Sequence, residues 1–226
     1  MQPLEAFCRL NDMKHLSSGL CAALLLFLPT AEATSPERVV HGNRLISQSD
    51  PAITIEVPAA AKYLGAERWD LYGIADCELH VFVEADDNKQ VKRLYWIQFE
   101  GYLPANTHTY DYSKDEPVTF AGLPFHQRTH VGPTNNKPRE GSDGERVRQM
   151  LAREGYSYAP EAMNVRLVHL LDDAKRKELM FIYGEDLALS GFTTAQLKDG
   201  DQFRPEWKQV EKGLVDRAMS RIKLTR

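Results

Sequence analysis

The chain has little cysteine, and what it has is unevenly placed. Only three cysteines occur in 226 residues, and two of them, Cys8 and Cys21, fall within the first 33 positions. Beyond that point Cys77 stands alone, so the remainder of the chain cannot form an internal disulfide. A single thiol of this kind is most often a small buried apolar residue, and less often a nucleophile or an intermolecular link.

The chain also lacks a strong charge of either sign and lacks a long hydrophobic segment. Its 28 basic and 32 acidic residues give a net charge of −4, with no dense basic patch of the kind that binds nucleic acid. No segment reaches the roughly 20 apolar residues that a membrane-spanning helix needs. We therefore expect neither a nucleic-acid partner nor a membrane span.

Common catalytic motifs are missing as well. The sequence has no Gly-x-Ser-x-Gly elbow, no phosphate-binding glycine-rich loop and no Cys-x-x-Cys pair. His126 and His130 are four residues apart, but their neighbours favour a strand, on which they would share a face and lie about 13 Å apart, too far to chelate one ion. These absences predict no metal and no cofactor, and no family motif is recognisable.

Residues 13–33 show the three parts of a secretory signal peptide in order. Met13-Lys14-His15 forms a short basic start, and an uncharged stretch runs from Leu16 to Leu28. Pro29 ends the apolar run, and the small residues Ala31 and Ala33 stand where a signal peptidase reads the chain. The apolar run of about 10–13 residues is too short to span a bilayer. The pattern predicts cleavage after Ala33.

The first 12 residues do not fit this pattern, because Glu5, Arg9 and Asp12 precede the signal. Met13 is therefore the predicted translation start. Removing 33 of the 226 residues takes away two basic and three acidic side chains and leaves 193 residues. We expect the product to be soluble and either periplasmic or secreted, and its length favours one domain.

The mature chain is predicted to be a flexible N-terminal arm, residues 34–51, followed by a single α+β domain, residues 52–226. The arm is polar and aperiodic. Val118–Val131 is predicted to be strand, interrupted near Gly122 and Pro124. Alternating, β-branched patterns predict strands at Ala52–Val57, Arg68–Glu84 (one long or two consecutive strands), Val91–Tyr102, Asn164–Leu171 and Glu178–Tyr183. Short polar turns join the second of these to the third and the fourth to the fifth, which predicts two hairpins.

Two helices are predicted beside these strands. Ser142 and Glu145 form a capping box that begins a mid-chain helix, and Gly155 ends it. Pro205 suits the first position of a C-terminal helix. The apolar stripe of that helix consists of Trp207, Val210, Leu214, Ala218 and Ile222. The predicted fold class is therefore α+β, a largely antiparallel sheet with both helices packed on it.

The first hairpin carries the most chemistry, and its register decides which side chains meet. We prefer the register that places Leu79 opposite Ile97, because it merges the apolar side chains on one face. The other face then groups six polar or aromatic side chains, Asp76, Glu78, His80, Trp96, Gln98 and Glu100. The alternative, with Glu78 opposite Ile97, mixes polar and apolar side chains on both faces.

The grouped face yields the candidate site residues. Glu78, His80 and Glu100 are candidate catalytic residues, because carboxylates beside an imidazole can act as acid and base. The candidate ligand-binding residues are Asp76, Trp96, Gln98 and Tyr110. Tyr110 belongs to an aromatic loop, residues 102–112, that could cover a pocket or plug the edge of the core. The same alternation is also typical of an ordinary solvated face.

Three functional hypotheses follow. The leading one is a non-enzymatic exported domain that binds a protein partner or a small ligand in the cell envelope, since no catalytic signature is present. The second is a hydrolase or metal-dependent enzyme that uses the carboxylate and histidine face. The third is a structural envelope component, which differs from the first in forming stable complexes.

Overall fold

The computed structural model describes residues 35–226, and strands make up most of its regular structure. The predicted signal peptide and the predicted start at Met13 lie outside these described residues. The strands are β1 Val39–His41, β2 Arg44–Ser47, β3 Ile53–Glu56, β4 Lys62–Leu71, β5 Ala75–Ala85, β6 Gln90–Tyr102, β7 Glu116–Phe120, β8 Leu123–Pro133, β9 Ser157–Tyr158, β10 Glu161–Leu170, β11 Lys177–Asp186, β12 Lys198–Asp199, β13 Gln202–Phe203 and β14 Lys223–Thr225.

Three α-helices and one 3-10 helix complete the described structure. The helices are α1 Asp143–Arg153, α2 Thr194–Leu197 and α3 Pro205–Arg221, and the 3-10 helix is Leu187–Ser190. The side chain of Ser142 accepts a hydrogen bond from the backbone N–H of Glu145, as the capping pattern predicts. Pro205 is the first residue of α3, also as predicted.

A large, mostly antiparallel sheet dominates the fold. Its strand order is β4-β5-β6-β11-β10-β8-β7, and the short strand β9 adds to β6 in parallel. The two predicted hairpins are present as β5–β6 and β10–β11. The strand pattern around Gly122 is a third hairpin, in which β7 turns into β8. The prediction of a largely antiparallel sheet is confirmed.

Apolar clusters cover both faces of the large sheet. One cluster joins Phe82, Ile97 and Phe99 to a second, four-stranded sheet of order β1-β2-β3-β14 and to side chains of α3. The other cluster joins side chains of β4, β5 and β6 to three buried residues of α1, Val147, Met150 and Leu151. We call the first side the small-sheet face and the second the α1 face.

The N-terminal segment differs from the flexible arm that the sequence predicts. Residues 39–47 form the hairpin β1–β2, which turns at Gly42 and pairs with β3. Leu45 is fully buried in the cluster of the small-sheet face. The polar composition led to the wrong prediction because only alternate side chains of β2, Leu45 and Ser47, face inward. The other side chains of β2 lie nearer the surface.

The register of the first hairpin is also different from the predicted one. Next to the turn Ala85 lies opposite Val91, which is the pairing that the predicted register requires. Lys92 then forms a β-bulge, and the pairing shifts by one residue along the rest of the hairpin. His80, and not Leu79, therefore lies opposite Ile97. Each face of the hairpin therefore mixes polar and apolar side chains, and this is possible because both faces of the sheet are buried.

Among the described residues, no helix is both long and apolar enough to cross a membrane.

Candidate functional site

The shifted register divides the predicted site between the two faces of the sheet. Asp76, Glu78 and His80 project to the small-sheet face, because Glu78 lies opposite Phe99 and His80 opposite Ile97. Trp96, Gln98 and Glu100 project to the α1 face together with Cys77 and Leu79. The predicted grouping of these six side chains on one face is wrong.

On the small-sheet face, Glu78 and His80 belong to a closed hydrogen-bond network. His80 Nε2 lies 2.9 Å from Glu78 Oε1, and Tyr63 Oη lies 3.0 Å from His80 Nδ1. The Glu78 carboxylate also accepts hydrogen bonds from the backbone N–H groups of Glu37 and Arg38 and from the Arg38 guanidinium. We call these five residues the His80 network.

The hydrogen-bonding groups of the Glu78 carboxylate and the His80 ring are satisfied within the protein. Burial alone would raise the pKa of Glu78, but the hydrogen bonds from His80 and from the two backbone N–H groups outweigh it and lower the pKa to about 2. The ionised carboxylate only accepts, so His80 Nε2 carries the proton. Glu78 is 2% exposed and His80 0%, so both side chains are almost completely buried.

On the α1 face, four of the predicted site residues form a chain of hydrogen bonds. Trp96 Nε1 donates to Gln98 Oε1 at 2.8 Å, and Gln98 Nε2 donates to Glu100 Oε2 at 2.8 Å. The Tyr110 hydroxyl donates to Glu100 Oε1 at 2.8 Å. The aromatic loop therefore lies against Glu100.

Sequence reasoning missed Glu178, which lies directly opposite Glu100 on β11. The Tyr112 hydroxyl donates to Glu178 Oε2 at 2.6 Å. Burial, followed by repulsion from Glu100, raises the pKa of Glu178 to about 8, and burial also raises the pKa of Glu100. The sequence indicates this carboxyl pair only if β6 is paired with β11, because Glu100 lies in the first hairpin and Glu178 in the second.

Cys77 is a free and buried thiol on the same face. Burial is the largest cause that raises its pKa, and the nearby Glu100 carboxyl adds to the effect. A thiol held in its protonated form is a poor nucleophile.

The α1 face also contains an open cavity of about 290 Å³, which we call the Trp96 cavity. Its floor is formed by Leu94 and Trp96 of β6 and by Ile182 and Gly184 of β11. A Cβ added at Gly184 would meet its nearest neighbour, Leu94 Cβ, at 3.6 Å, an ordinary contact. The missing side chain at this position therefore leaves room above the sheet.

The polar residues that line the Trp96 cavity include Arg148 of α1, Asn164 of β10 and His130 of β8. Asn164 and His130 are directly opposite each other on neighbouring strands. The Arg148 guanidinium donates to the backbone carbonyls of Thr134 and Asn136 and lies over the ring of Tyr158. Of these residues, only His130 was placed by the sequence, on a strand face shared with His126.

A second cleft, of about 330 Å³, is lined by Asp76, Glu78 and Glu100 among other charged residues. Several of its charged groups already have internal partners. Arg68 binds Asp76 through two nitrogens, at 3.0 and 2.6 Å, and Lys177 Nζ lies 2.9 Å from Asp50 Oδ2. Glu100 and Glu178 also line this cleft, and among the described residues neither carboxyl forms an ion pair.

Within residues 35–226, no group of three or more His, Cys, Asp or Glu side chains is arranged to hold a metal ion. Comparison with known proteins found no matching protein-family model, no matching curated protein and no matching solved structure.

Proposed function

We propose that this protein is a non-enzymatic, exported binding domain whose ligand is a small, largely apolar molecule held in the Trp96 cavity. The observation that carries the proposal is the cavity itself, with an apolar floor and a few polar side chains gathered at one edge. That combination is typical of small-molecule sites, and a volume of about 300 Å³ lies at the lower end of their range.

The surroundings of the cavity support this assignment. Trp96 is 8% exposed, and its indole N–H is already bonded to Gln98, so the ring offers its apolar surface to a ligand. The mid-chain helix α1 contributes Gly144 and Arg148 to the wall. The proposed α+β domain thus uses α1 to form one wall of the site, while α3 packs on the opposite face. A cavity of this volume suits a small ligand better than a protein partner.

Export is part of the proposal and depends on the sequence of residues 13–33. The ligand would then be met in the periplasm or outside the cell. N-terminal sequencing of protein recovered from the envelope fraction should give a chain that begins at Thr34. A chain that keeps residues 13–33 in that fraction would refute the cleavable signal.

Binding of the neutral fluorophore N-phenylnaphthylamine to the purified protein tests the cavity. We expect saturable binding with increased emission, and we expect Gly184→Val to weaken it about tenfold, because the added side chain occupies the space above the floor. Gly101→Val is the matched control, since its Cβ would meet Lys177 Cγ at 3.5 Å outside the cavity. Equal binding by Gly184→Val and the natural chain would refute the proposal.

A second candidate, acid–base catalysis by a hydrolase, is favoured by one observation. Glu100 and Glu178 face each other while buried, which is an arrangement that holds a carboxylic acid in its protonated form near neutral pH. If the protein is such an enzyme, a screen of ester and glycoside substrates should give an activity that Glu178→Gln abolishes. Activity retained by Glu178→Gln would remove the candidate.

A further inference from the structure

We propose that the ligand of the Trp96 cavity is an organic anion whose carboxylate or sulfonate group binds Arg148, beside Asn164 and His130, while its apolar body lies over Trp96 and Ile182. This inference rests on the proposed function of the cavity and specifies the chemistry of its ligand.

The charge balance of the lining favours an anion. The acidic and basic residues of the lining are Arg148, Glu185 and Asp186, and the Glu185 side chain projects to the small-sheet face together with Tyr183. Glu185 is paired with Arg217 at 2.8 Å, and Asp186 is paired with Lys92 at 2.9 Å. Arg148 forms no ion pair with any carboxylate of the described residues, so the unbalanced charge at the cavity is positive.

Arg148 is held in place by groups that leave part of it available. Its Nη2 donates to the backbone carbonyls of Thr134 and Asn136, and the guanidinium lies 5.1 Å from the centre of the Tyr158 ring. Within the described chain, its Nε and Nη1 atoms donate to no protein acceptor. An arginine fixed in this way can give two parallel hydrogen bonds to a carboxylate or sulfonate with little further loss of side-chain entropy.

Asn164 and His130 extend the polar edge of the cavity. They are directly opposite each other on β10 and β8, and among the described residues neither side chain forms a hydrogen bond within the protein. Burial, followed by the positive charge of Lys198, lowers the pKa of His130. The two side chains can donate hydrogen bonds to an anionic group.

A cationic ligand would meet the opposite situation. The Asp186 carboxylate is already bound to Lys92, and a ligand cation would have to displace this partner while facing Arg148.

Two fluorophores with the same aromatic body separate this inference from the proposed function. Anilinonaphthalene sulfonate carries an anionic group that N-phenylnaphthylamine lacks. We expect the natural chain to bind the sulfonate about ten- to hundredfold more tightly than the neutral probe. At about 1 M NaCl, where the Debye length is about 3 Å, this advantage should shrink while neutral-probe binding persists.

Variants of Arg148 test directly whether this side chain binds the anionic group. Arg148→Gln should reduce the preference for the sulfonate over the neutral probe, taken as the ratio of their affinities, about ten- to hundredfold. Because each variant is measured with both probes, neutral-probe binding that persists in Arg148→Gln shows that its cavity is still folded. Arg148→Lys should retain part of the sulfonate preference, since it keeps the charge and loses the planar fork. Arg153→Gln, on the same helix at a side chain 61% exposed, is the control and should bind both probes normally.

The outcomes are distinguishable. If the neutral probe binds and the sulfonate gains nothing, or if Arg148→Gln leaves the preference intact, the anion inference is overturned and the cavity function stands. If neither probe binds, or if Gly184→Val binds both like the natural chain, the proposed function fails together with this inference.

Discussion

The two faces of the large sheet carry polar side chains in opposite conditions. On the small-sheet face, Glu78 and His80 are buried and every hydrogen-bonding atom of the Glu78 carboxylate is engaged. At the Trp96 cavity, Arg148, Asn164 and His130 keep hydrogen-bonding capacity that the described chain does not use. A carboxylate beside a histidine, such as Glu78 and His80, can have all its hydrogen bonds inside the protein. We therefore propose that polar groups without internal partners, beside an apolar surface, are the better indication of a binding site.

The largest effect on stability is expected from a variant that disrupts the His80 network. Glu78→Gln removes the charge that Arg38 and His80 face, so we expect a loss of about 3 kcal/mol in the free energy of unfolding, measured with urea. Binding of N-phenylnaphthylamine to the folded variant should be unchanged, because the cavity is on the other face. A loss below about 1 kcal/mol, or a loss of probe binding in a folded variant, would contradict the structural role of this network.

A comparable effect concerns pH and the Glu100–Glu178 pair. The pKa of Glu178 is raised from its ordinary value of 4.5 to about 8 in the folded protein, so the folded state retains a proton that the unfolded chain releases in this range. Folding stability should therefore fall as the pH rises from about 5 to 8. In Glu178→Gln, which cannot ionise, the fall should be smaller by about 3 kcal/mol.

Urea unfolding at pH 5 and pH 8 measures this difference. Glu206→Gln, at an exposed position of α3, is the control and should follow the natural chain. An identical pH dependence in Glu178→Gln would show that this carboxyl does not titrate above its ordinary range. The pair would then be no better an acid–base candidate than any surface glutamate.

The sequence predicts much of the fold because its signals there are local. Alternation and polar turns locate both central hairpins, and the Ser142 cap and Pro205 locate the starts of α1 and α3. The sequence does not predict the β1–β2 hairpin, because strands of three and four residues with polar outer faces show little periodicity. The prediction of export concerns residues outside the described part and stays a prediction.

The site is less predictable because it depends on register and on tertiary contacts. A single bulge at Lys92 moves Glu100 to the face opposite Glu78, and nothing in the local sequence marks that residue as a bulge. The Trp96 cavity needs Gly184 from one hairpin, Asn164 from its partner strand and Arg148 from a helix. Only pairing of distant strands brings these residues together.

We propose that the ligand binds on the α1 face and not at the His80 network. Amide chemical shifts of isotope-labelled protein, followed by NMR while N-phenylnaphthylamine is added, test it most directly. We expect shifts that saturate at Asn164, Ile182 and Gly184 and at the Trp96 indole N–H, with none at Glu78 or His80. Shifts concentrated at Tyr63, Glu78 and His80 would contradict the claim.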